Sequence, residues 1–85
     1  MQNTAKQETK TADLLQLGET AVIHSLSTTE LSVKLLQMGC LPGKKITHVR
    51  STLGGNPLYL RIDNQFFALR REEAAQIAVL NNSSL

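Results

Sequence analysis

Residues 58–62 alternate without a break: Leu58, Leu60 and Ile62 fall on one side, Tyr59 and Arg61 on the other. Successive side chains of a β-strand point to opposite faces, so this run predicts a strand with one buried and one open face. Turn formers close it at both ends. Gly54-Gly55-Asn56-Pro57 stands before it and Asp63-Asn64-Gln65 after it, where Asn64 tolerates a positive φ. The first of these is a hairpin connection and the second a tight reversal.

The same period recurs on either side. Thr20 to Leu26 places Ala21 and Ile23 on one face and Val22, His24 and Leu26 on the other. Lys45 to Val49 puts Ile46 with His48 and Thr47 with Val49. Phe67 and Leu69 point inward from the strand after Asn64, and Ile77 and Val79 close the set. Two segments break the pattern. Ser27 and Glu30 have the spacing of a capping box, and Leu26 and Leu31 that of a hydrophobic staple. They predict a helix whose buried face carries Leu31, Leu35 and Met38, ended by Gly39 and blocked by Pro42-Gly43. Arg71 to Ala75 reads as a single helical turn.

Short strands, tight turns, one short helix and a single core fit a small, partly closed β-barrel, mainly β in class. With 85 residues there is room for one domain. Residues 1–11 are polar and aperiodic and read as a disordered lead-in, 12–80 as the barrel, and 81–85 as a disordered tail. The only aromatic residues are Tyr59, Phe66 and Phe67, so aliphatic side chains must fill the core. A single cysteine, Cys40, leaves no internal disulfide. The first ten residues lack the apolar stretch of a secretory signal, and no run approaches the ~20 apolar residues that span a bilayer. A cytoplasmic location without membrane insertion is expected.

The order of these motifs resembles the FeoA family. Leu14-Leu15-Gln16-Leu17-Gly18 supplies the family's opening, and Leu35-Leu36-Gln37-Met38-Gly39-Cys40-Leu41-Pro42-Gly43 the helix end and turn. Gly54-Gly55-Asn56-Pro57 supplies the hairpin, and Phe67-Ala68-Leu69-Arg70-Arg71-Glu72-Glu73-Ala74 the closing signature. The likeness spans Asp13 to Leu80. Asn56 stands where aspartate is frequent and Asn64 where glycine is, and both still suit turns. Thr52-Leu53 replaces a frequent alanine-proline pair, and His48 sits where an aliphatic residue is usual. The resemblance implies an SH3-like barrel acting as a non-enzymatic accessory to a FeoB-type membrane GTPase that carries ferrous iron. The same barrel serves as a C-terminal docking domain in iron-dependent repressors.

The residues themselves offer little chemistry beyond contact. Cys40, His24 and His48 are the soft or borderline metal ligands, without C-x-x-C or H-x-x-H spacing, so neither a metal nor a cofactor is expected. Adjacent Glu72 and Glu73 diverge by about 100° on a helical turn and cannot act as an acid–base pair. Their charge instead suits a helix N-terminus. The glycine-rich turn lacks a phosphate-loop ending. A net charge of +2 without stacking aromatics argues against nucleic acid. Candidate partner contacts are Tyr59 and Arg61 on the open face of the best strand, Lys44 and Lys45 as part of a shallow basic face, and Leu41 and Leu53 in turns. A nucleic-acid-binding barrel and an iron-carrying metallochaperone are the rival readings, and weak self-association stays open.

Overall fold

The computed structural model describes residues 9–81. Six strands, β1 (Thr9–Thr11), β2 (Thr20–Leu26), β3 (Lys45–Ser51), β4 (Leu58–Ile62), β5 (Gln65–Leu69) and β6 (Ile77–Asn81), form one antiparallel sheet. Their spatial order is β1-β6-β2-β3-β4-β5, so β2 to β5 run as a meander and β6 returns to lie between β1 and β2. The sheet curls into a mainly β, partly closed barrel whose edges are β1 and β5. A 3-10 turn at Ala12–Leu14, helix α1 (Glu30–Gln37) and helix α2 (Arg71–Ala74) complete the fold.

Period two decides the core. Ala21 and Ile23 of β2, Ile46 and His48 of β3, and Leu58, Leu60 and Ile62 of β4 are buried, with Phe67 and Leu69 of β5 and Ile77 and Val79 of β6. Each large aliphatic side chain so enclosed contributes about 1.5–3 kcal/mol. Two register shifts bend the strands, one between Ile23 and Ser25 in β2 and one between His48 and Arg50 in β3. An extra residue at such a point increases local twist, which curls a short sheet on itself.

Four sequence expectations shift in the structure. Thr9–Thr11 is a strand paired with Ala78–Leu80, and Asn81, read as the start of the tail, ends β6 opposite Ala21, so the sheet begins three residues before Ala12 and ends one after Leu80; residues 1–8 and 82–85 lie outside the described residues. The cap of α1 is Thr29, whose hydroxyl accepts from the Ser32 N–H at 3.1 Å. Ser27 lies two residues ahead of that cap, where its backbone N–H pairs with the Gln76 carbonyl at 3.0 Å and prolongs the contact of β2 with β6. Met38 is 51 % exposed, since α1 ends at Gln37, while Leu35 and Ser32 are buried and Leu31 packs against the core. The positive φ of the β4–β5 turn falls on Asp63 (55°) and not on Asn64. Aspartate also tolerates this conformation, and its carboxylate is held by Lys44 at 2.8 Å.

The end of α1 is as the sequence indicates. Gly39 has φ 104°, the Cys40 N–H bonds to the Leu35 carbonyl at 2.9 Å and the Gly39 N–H to that of Leu36 at 3.1 Å. This Schellman pattern satisfies carbonyls the helix leaves open and turns Cys40 into the core. At α2 the Glu73 carboxylate accepts from the Arg70 N–H at 2.8 Å.

Candidate functional site

Because Ile46, His48, Leu60 and Ile62 face inward, their neighbours Lys45, Thr47, Tyr59 and Arg61 face out. The register aligns these side chains across strands: Thr20 opposes Thr47, Thr47 opposes Arg61, and Arg61 opposes Phe66. Thr20, Lys45, Thr47, Arg61 and Asp63 line a shallow open groove of about 440 Å³. Its floor is tied by the Thr20 and Thr47 hydroxyls, 2.7 Å apart. Lys44 lies alongside with its ammonium on Asp63. Lys44, Lys45 and Arg61 are therefore gathered at one place, and Tyr59 continues the same face of β4, half-buried.

The two leucines read as contacts sit apart from one another. Leu41 is exposed in the turn before β3, close to Lys44, whose N–H bonds to the Leu41 carbonyl at 3.1 Å. Leu53 is 103 % exposed beyond the other end of β3, about 20 Å along the strand from Lys45. The loop that carries it is firmly held. Arg71 donates through Nε to the Gly55 carbonyl and through Nη1 to that of Asp13, both at 2.9 Å, and its N–H reaches Asn56 Oδ1 at 3.0 Å. One residue thereby joins the β3–β4 loop, α2 and the turn before β2. Phe66, 69 % exposed, is a candidate the sequence reading passed over. The signal was present: once Phe67 and Leu69 point in, Phe66 must point out.

The soft ligands do not converge. Cys40 is buried, His24 is exposed on β2, and His48 is buried in the barrel. Among the described residues no three His, Cys, Asp or Glu side chains form a group suited to a metal ion. Burial pushes the Cys40 thiol from 9.0 up to about 11, which favours the inert protonated form. His48 is structural: Nδ1 is 2.9 Å from the Leu15 carbonyl, and Nε2 is 2.9 Å from Ser51 Oγ and 3.1 Å from the Arg50 carbonyl. It ties the turn before β2 to the inside of β3.

A comparison with protein families matches residues 10–81 to the FeoA domain. The chain belongs to the FeoA family. Among solved structures, this FeoA-domain chain is similar to iron(II) transport protein A from Clostridium thermocellum, at 34 % identity and a TM-score of 0.78. The match covers 86 % of this chain and 46 % of that one, so the present chain spans less than half of that relative. FeoA from Stenotrophomonas maltophilia, solved with zinc, is 28 % identical with a TM-score of 0.74, over 81 % of this chain and 87 % of that one. It is described as an SH3 domain protein and proposed as a bacterial ferrous iron transport activating factor. T. acidophilum IdeR shares the fold at 20 % identity and a TM-score of 0.74, over 94 % of this chain and 37 % of that one. A search of curated proteins finds no match. In this FeoA domain no helix among the described residues is long and apolar enough to cross a membrane.

Proposed function

We propose that the protein is a non-enzymatic accessory module that docks on the cytosolic side of a FeoB-type ferrous iron transporter and supports Fe(II) uptake. The observation that carries this reading is the family match over residues 10–81, joined by likeness to a protein named for iron(II) transport. Physical features agree with a docking role. Cys40, His24 and His48 stand apart, whereas Lys45, Tyr59 and Arg61 share the open face of β3 and β4 with Lys44 just before β3. Charge on such a face raises the rate of encounter with an acidic surface more than it raises affinity.

Two measurements test the reading together. The tagged full chain is expected to co-purify with the transporter from its own cells, and deletion of its gene is expected to slow uptake of radiolabelled ferrous iron. Absence of association combined with unchanged uptake would sink it.

A further inference from the structure

We propose that the outward face of β2, β3, β4 and β5, centred on the groove between Lys45 and Arg61 and extended by Phe66, binds a short, extended, acidic segment of a partner protein. This deepens the docking reading and rests on it only for which protein supplies the segment.

Charge balance selects the occupant. The one carboxylate in the groove lining is already engaged, Asp63 holding Lys44 at 2.8 Å, and Glu19, the chain neighbour of Thr20, holds Lys10 at 2.7 Å while accepting from the Gln16 N–H at 2.9 Å. The Lys10 contact, with the Gln16 bond, holds the Glu19 carboxyl below its ordinary range, so it stays ionised and committed. Neither of the two ion pairs among the described residues uses Lys45 or Arg61. Both line the groove and both are exposed, so the charge offered to a visitor is positive. The Thr20–Thr47 hydroxyl pair adds a donor, because one hydroxyl donates to the other and the second keeps its proton free.

Size and shape narrow the choice further. The aligned row Thr20–Thr47–Arg61–Phe66 crosses four strands, about 14 Å at the usual strand spacing. An extended chain covers that distance in four or five residues. At one end of the row Phe66 presents an open aromatic surface on the edge strand, directly opposite Arg61. An acidic segment carrying one apolar side chain satisfies the whole row, with carboxylates on Lys45 and Arg61 and the apolar group on Phe66. Nucleic acid is disfavoured: two cations neutralise about two phosphates, which gives little binding at physiological salt, and Phe66 alone cannot stack a run of bases.

The test uses the full chain, isotopically labelled for amide-resolved NMR, with three probes. These are a blocked peptide of four glutamates around one leucine, its lysine counterpart, and a five-nucleotide single-stranded DNA. The acidic peptide is expected to shift the amides of Thr20, Lys45, Thr47, Arg61 and Phe66. Its affinity is expected to fall about tenfold in the K45E/R61E variant and several-fold in Phe66→Ala. All three residues are exposed, so the rest of each spectrum should be unchanged. Shifts located elsewhere, no shifts, equal binding of the lysine peptide, or displacement of the acidic peptide by the oligonucleotide would each overturn the proposal. Co-purification with the transporter is scored separately. Wild type that fails to co-purify refutes the docking reading and leaves the peptide result standing. Wild type and K45E/R61E that co-purify equally overturn the acidic-segment proposal and leave the docking reading intact.

Discussion

Replacing His48 by leucine separates two accounts of a buried ring. The side chain is 3 % exposed on the inward face of β3, among aliphatic neighbours. If the ring only fills space, leucine should serve equally well or better. The structure says otherwise, because Nδ1 lies 2.9 Å from the Leu15 carbonyl, an acceptor that only an N–H can satisfy, and Nε2 lies 2.9 Å from the Ser51 hydroxyl. Ser51 is exposed and can turn to water, but Leu15 is buried, so its carbonyl loses its ring donor inside the barrel. A buried acceptor left unpaired costs about 1–3 kcal/mol, and the more apolar leucine recovers only part of that. A net loss of roughly 1–2 kcal/mol is expected for His48→Leu, and roughly 3 kcal/mol for His48→Ala, which adds a cavity. In thermal unfolding the leucine variant should melt about 4–16 °C lower, given the 4–8 °C per kcal/mol of a domain this size. His48→Asn, which keeps an N–H near the place of Nδ1–H, should recover part of the loss. A leucine variant as stable as the wild type would refute the reasoning.

Three further outcomes follow from the geometry. Thr29→Ala should cost about 1 kcal/mol in urea unfolding and Ser27→Ala clearly less, since Thr29 caps α1; the reverse order would restore the cap read from sequence. Arg71→Ala removes the guanidinium bonds to Gly55 and Asp13, at a cost of about 1 kcal/mol in this exposed setting. Amide exchange at Gly55, whose N–H is bonded to Thr52, should quicken in that variant, and unchanged exchange would show that the loop holds itself. Cys40 should resist alkylation until the barrel opens. Because its thiol rises from 9.0 to about 11 on folding, the unfolded chain ionises first and stability should fall as pH climbs through that window. Cys40→Ala should lack this slope, and a wild type without it would contradict the burial argument.

Much of the barrel was legible because alternation is local. Leu58, Leu60 and Ile62 needed no partner to declare their side, and the glycine-marked end of α1 formed at Gly39 as its residues require. What escaped was decided by distant pairing. Thr9–Thr11 has no apolar signature and is a strand only because β6 offers it a ladder. Ser27 has a cap's spacing, but pairing with Gln76, forty-nine residues on, continues the strand contact to it and the cap falls two residues later. The candidate face was half legible: alternation placed Tyr59 and Arg61 outward, and would have placed Phe66 there too. The sequence could not show that Lys44 consumes Asp63 while Lys45 and Arg61 remain free of ion pairs among the described residues, because that depends on the register in which β3 pairs with β4.

The placement of β6 between β1 and β2 makes both neighbours depend on the last strand. The meander from β2 to β5 pairs each strand with the one just before it, yet the slot beside β2 is filled only by the residues from Ile77 onward. A chain cut short at α2 would carry a bare ladder on β2 and a β1 with nothing to join, the kind of unpaired margin through which neighbouring chains adhere. Premature stops or proteolytic trimming ahead of residue 77 should therefore yield aggregates, not a smaller working barrel.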